Sequence, residues 1–95
     1  MKIPTEIKVG GILYHVQLVD HIPNEGEGFR WGECDYQEAQ IRLWKELSDQ
    51  KKHQTFVHEL THAIFHEAGI DDQDEEQINR VAIVLHEVFL DNTFQ

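Results

Sequence analysis

The sequence predicts an α+β fold in which a small antiparallel sheet packs on two helices. Three observations carry this expectation. Apolar and polar residues alternate in short runs between Ile3 and about Lys45, the period of half-buried strands. From Ser48 onward, apolar residues recur at three- and four-residue spacing, the period of a helix with one buried face. Gly69 and the acidic turn Asp71-Asp72-Gln73-Asp74 then divide this second half into two helices. Ninety-five residues are expected to form one domain, 1–95, with no room for a second core.

The strands follow in order. Ile7 and Val9 alternate with Glu6 and Lys8, and Gly10-Gly11 is a two-residue turn signal. Ile12, Tyr14, Val16 and Leu18 then alternate along the returning strand, which makes a β-hairpin. Pro23, Asn24, Gly26 and Gly28 mark a polar loop over 22–28. A second hairpin is expected from Phe29 to Tyr36 and from Gln40 to Trp44, turning near Gln37 to Ala39. Ser48 is a good N-cap for the first helix, whose buried face carries Phe56, Val57, Leu60, Ala63 and Ile64. The second helix is expected from about Gln73 to Asp91, with Ile78, Val81, Ala82, Leu85, Val88 and Phe89 on its apolar face.

Charge and composition narrow the function. Eighteen acidic residues against eight basic ones give a formal net charge of −10. Such a chain repels phosphate backbones and anionic lipid surfaces, so neither nucleic acid nor membrane is an expected partner. Cys34 is the only cysteine, which excludes an intramolecular disulfide and fits a reducing compartment. The stretch Met1 to Thr5 lacks the apolar run of a signal peptide, and no segment reaches the roughly eighteen apolar residues of a membrane helix. A cytoplasmic protein is expected.

The chemistry lies in His58-Glu59-Leu60-Thr61-His62, an H-E-x-x-H motif in the middle of the first helix. Residues four apart on a helix stand one turn above each other, so two imidazoles converge on one metal ion, and nitrogen ligation suits zinc. Glu59 is rotated from His58 by about 100° and is placed to act as a general base on a water beside the metal rather than as a ligand.

A catalytic zinc site takes three protein ligands and leaves one position open. His66 lies about 12 Å along the helix axis from His58, too far to share the ion, and is expected beside the site or on the surface. The second helix offers Glu75, in line with Ile78, Ala82 and Leu85, and as the alternative Glu76, which points away from that face. A structural role competes for Glu75: Asp72-Gln73-Asp74-Glu75 fits a capping box in which Glu75 reaches back to the N-cap amide.

His58-Glu59-Leu60-Thr61-His62-Ala63-Ile64, followed by Asp74-Glu75-Glu76-Gln77-Ile78-Asn79-Arg80-Val81-Ala82, resembles the ImmA/IrrE-type zincin-like metallopeptidases, in particular the small versions encoded by bacteriophages. The resemblance spans roughly Gly32 to Leu90 and implies a minimal zincin-like core. In that family a glutamate near an Asn-x-(apolar)-Ala step is the third zinc ligand. Asn79 and Ala82 fix the register and leave Glu75 or Glu76 in that role. The implied activity is peptide-bond hydrolysis inside the cell on a protein or peptide substrate, in some relatives a regulatory protein.

Other polar residues read more plainly. Tyr36 and His66 are candidates for stabilising an oxyanion, His53 is expected at the surface, and His86 lies about 16 Å along its helix from Glu75. Trp31 and Trp44 flank the second hairpin as core or sheet-face residues. Two functions therefore compete. One is a zinc peptidase; the other is a non-catalytic zincin-like protein that binds a host or regulatory protein. A purely structural zinc is weaker, because such sites are usually closed by four ligands, mostly cysteines.

Overall fold

The structure, a computed structural model, describes residues 2–24, 26, 28 and 30–94. Met1, Glu25, Glu27, Phe29 and Gln95 lie outside the described residues, and with Phe29 goes the expected start of the second hairpin. Six elements follow one another: β1 (Glu6–Val9), β2 (Ile12–Val19), β3 (Gly32–Asp35), β4 (Gln40–Trp44), α1 (Asp49–Glu67) and α2 (Glu75–Asp91). The α+β class is as expected, with a four-stranded sheet against two helices.

Both hairpins form. Gly10 and Gly11 take φ values of 58° and 87°, the left-handed pair that a tight β1–β2 turn requires. The turn sets Ile7 opposite Tyr14 and Val9 opposite Ile12. β3 and β4 pair antiparallel, with Cys34 opposite Ile41.

The sheet is mixed rather than antiparallel throughout. Its order is β1-β2-β4-β3, and β2 runs parallel to β4 with Val16 opposite Ile41. Turn residues fix which strands are consecutive partners, whereas the join between two hairpins is set by how they pack on the helix. Here that join leaves β3 at the edge of the sheet, next to β4 alone among the described strands. The position of β3 decides where the functional site opens.

One face of the sheet is covered by α1. Tyr14, Ile41 and Leu43 from the strands meet Phe56, Val57, Leu60 and Ala63 from the helix in a single buried cluster. In β2 Tyr14 is buried and Val16 half-buried, while Ile12 and Leu18 toward its ends stay exposed although they alternate with them as expected. Ile64 is likewise exposed.

Local chemistry sets the helix ends. Ser48 caps α1 by accepting from the Lys51 amide at 3.2 Å. At the other end Gly69, at φ 84°, donates to the His66 carbonyl while Ile70 donates to that of Phe65, which closes the helix as a Schellman motif. The helix α2 begins two residues later than expected. Asp74 is its N-cap, accepting from the Glu76 amide at 3.1 Å, so the capping box from Asp72 to Glu75 does not form. That shift leaves Gln73 in the linker and puts Glu75 at the first helical position, with its side chain released from capping. Ile78 and Ala82 are the buried residues of α2, with Leu85 and Phe89 partly buried against the core, while Val81 and Val88 are exposed.

Candidate metal centre

The middle of α1 presents His58 and His62 along one side, as their four-residue spacing demands. The start of α2 crosses that side. There the Glu75 carboxylate meets both rings, with Oε1 3.0 Å from His58 Nε2 and Oε2 3.4 Å from His62 Nε2. One ligand atom from each of the three residues lies within 4.8 Å of the others. Two nitrogens and one carboxylate oxygen are a zinc-type donor set. These three residues are able to hold a metal ion together.

Glu76 is elsewhere. Its carboxylate pairs with Arg80 at 3.0 Å on the exposed side of α2. His66 stands one turn beyond His62 and stacks on Tyr36, with ring centroids 4.1 Å apart, while its Nδ1 lies 3.8 Å from Asp71. It is not part of the cluster of His58, His62 and Glu75. His53 is half-buried rather than at the surface, and the same burial holds its imidazole below its usual range of pKa.

The cluster lies in a cleft of about 990 Å³, with β3 on one side, α1 beneath and α2 on the other. Gly32, Cys34 and Tyr36 come from the sheet side, and Asn79 and Ile83 from α2. His86 also lines this cleft, farther along α2, with a buried Nε2 that has no hydrogen-bond partner among the described residues. Of the two oxyanion candidates, Tyr36 faces the cleft and His66 does not line it.

Electrostatics follow from burial. Glu59 is only 9 % exposed, and desolvation pushes its carboxyl up to about 7, against the opposing pull of His62 and Arg30. A carboxyl with that proton affinity is matched to acid–base work near neutrality. Burial first, and then the neighbouring His62, hold the His58 imidazole below its ordinary range, which keeps it neutral and able to ligate. The Cys34 thiol is pushed up to about 12, by burial first and then by the Glu59 and Asp35 charges.

One participant carries no signal in the sequence. Gln73, in the linker, accepts from Tyr36 Oη at 3.2 Å with the same Oε1 that lies 2.5 Å from His62 Nδ1. Its Nε2 donates to the His62 carbonyl at 3.3 Å. A neutral amide between two acidic residues reads as part of a solvated turn, so only the fold reveals this contact.

A pair of imidazoles one turn apart and a carboxylate from the following helix, with a buried glutamate beside them, form a helix-borne cluster of the H-E-x-x-H type that could hold a metal ion. The family model of the IrrE N-terminal-like domain matches residues 21–92, and the chain belongs to that metallopeptidase family. No curated protein and no solved structure matches it significantly.

Proposed function

We propose that this chain is a zinc-dependent peptidase in which His58, His62 and Glu75 hold the ion and Glu59 is the general base. The observation that carries the reading is the convergence of these three side chains within 4.8 Å beside a buried glutamate, in a cleft open to solvent. The donor set suits zinc, and three protein ligands leave a position for water. A zinc ion held there supplies positive charge that acidifies a water and polarises the scissile carbonyl.

The chain's own residues do the rest. Glu59 takes a proton from the attacking water as its oxygen bonds to the carbonyl carbon, and passes that proton to the leaving amine as the C–N bond breaks. Tyr36, on the cleft wall, turns its hydroxyl proton from Gln73 Oε1 to the carbonyl oxygen as charge develops there. The outer edge of β3, free of a neighbouring strand among the described residues, accepts an extended protein or peptide segment as an added strand, which lays its backbone across the metal centre.

Zinc content by elemental mass spectrometry tests the reading. About one zinc per wild-type chain is expected, lost in His62→Ala, weakened in Glu75→Gln and unchanged in Glu76→Gln. A wild-type chain that fails to take up added zinc sinks the proposal.

A second reading is a non-catalytic binder of a regulatory protein, favoured by the exposed Val81, Val84 and Val88 on α2. Pull-down with Glu59→Gln separates the two. A peptidase retains its substrate only in the variant, whereas a binder retains its partner equally in both.

A further inference from the structure

Gln73 meets His62 at two points, and the chemistry of those points fixes a proton. The His62 backbone carbonyl can only accept, so the Gln73 group 3.3 Å from it must be the amide nitrogen. That orientation turns Gln73 Oε1 toward the imidazole, 2.5 Å from Nδ1. An amide oxygen can only accept, so Nδ1 carries the hydrogen. In a neutral imidazole the other nitrogen then has a free lone pair, and that nitrogen, Nε2, is the one facing Glu75.

We propose that Gln73 is a positioning residue that holds His62 in its Nδ1-protonated tautomer, so that Nε2 is presented to the metal. This inference rests on the zinc-site reading above and adds to it the residue that orients one of its ligands. Metal-bound histidines commonly donate their second N–H to a carboxylate or a carbonyl. Here a carboxamide serves, and its two ends have separate tasks: the oxygen orients the ring and the nitrogen ties the side chain to the helix backbone. Asparagine is one methylene shorter, and methionine keeps the length but has no strong acceptor.

The network reaches further. The Tyr36 hydroxyl donates to the same oxygen at 3.2 Å, and the Tyr36 ring stacks on His66 with an interplanar angle of 7°. The turn after β3, the last turns of α1 and the linker are thereby joined at one amide. The linker that delivers Glu75 to the metal also delivers, two residues earlier, the group that aims His62.

Two readouts test this without peptidase activity. Zinc affinity is measured by competition with a chromophoric chelator in wild type, Gln73→Met and Gln73→Glu. Gln73→Met is expected to bind zinc about 10- to 100-fold more weakly, while Gln73→Glu, which keeps the acceptor, stays within a few-fold of wild type. The His62 tautomer is read directly in the metal-free protein carrying Glu75→Ala, where no carboxylate competes for a proton on Nε2, by long-range 1H–15N correlation at a pH where the ring is neutral. That variant is expected to show protonated Nδ1, and the same variant with Gln73→Met a mixture of tautomers. An unchanged tautomer and unchanged zinc affinity in Gln73→Met overturn the inference. A wild-type chain that binds no zinc overturns the metal-site reading instead, and the tautomer spectrum still decides whether Gln73 aims the ring.

Discussion

Gly32 on β3 leaves no room for a side chain above Glu59. A Cβ at that position would lie 3.2 Å from Glu59 Cγ, 3.3 Å from its Oε2 and 2.5 Å from Thr55 Cγ2. The last distance forces a shift, and threonine, stiff about its first torsion, yields poorly. Gly32→Ala is therefore expected to push the edge strand off α1 and destabilise the fold by about 1–3 kcal/mol, as overpacking does. Urea unfolding measures the cost. The same variant is expected to lose most peptidase activity because Glu59 is displaced, and an alanine variant of wild-type stability and turnover would show that the approach does not matter.

Glu59 is not placed as a metal ligand, so its role and that of the histidines separate cleanly. Glu59→Gln keeps the size of the side chain and removes its ability to take a proton. Zinc content is expected to stay at the wild-type level while turnover falls by about 10²- to 10⁴-fold, the range for a lost general base. Single-turnover cleavage beside elemental analysis checks both halves. Undiminished turnover would remove Glu59 from the mechanism.

Tyr36 offers a split of a different kind. Tyr36 lines the cleft beside the cluster of His58, His62 and Glu75. Tyr36→Phe is expected to retain zinc and leave KM within a few-fold, while kcat drops by about 10²-fold, as for one lost oxyanion donor. A change confined to KM would make Tyr36 a substrate-binding residue only.

Much of this was legible in the sequence because the signals are local. Gly10-Gly11, the Ser48 cap, Gly69 and the four-residue step from His58 to His62 each act within a few residues of themselves. The parallel pairing of β2 with β4 carries no such signal, since no residue in either strand dictates a neighbour more than twenty positions away. The start of α2 is not legible for a related reason: Asp72 and Asp74 are both fair caps, and Asp74 prevails where Gln73 turns back onto His62. In the sequence only the helical wheel separates Glu75 from Glu76. In the structure the first faces both histidines and the second faces Arg80.

Cys34 lines the same cleft, yet its thiol is not a nucleophile at neutral pH. With its pKa pushed up to about 12, it stays protonated through the physiological range and ionises only as pH rises toward that value. Alkylation of the native, metal-free protein by iodoacetamide at pH 8 is expected to be far slower than that of the urea-unfolded chain, whose thiol has an ordinary pKa near 8.5. Mass spectrometry of the time course measures the ratio. Equal rates would mean that neither burial nor the surrounding carboxylates protect the sulfur.

A metal at this centre would tie the two helices together, because His58 and His62 belong to α1 and Glu75 to α2. The helix α2 fully buries Ile78 and Ala82 and packs Leu85 and Phe89 partly against the core, so a metal would add to a modest docking face. Anything that binds the folded state alone stabilises it, by about 4 kcal/mol at a free concentration one thousand times its Kd. For a chain of this size that corresponds to a rise in Tm on the order of 20 °C. Scanning calorimetry with excess zinc and with chelator is expected to show such a gap in wild type and none in His62→Ala. Identical curves for wild type under both conditions would mean that the three side chains, close as they are, hold no ion that the fold depends on.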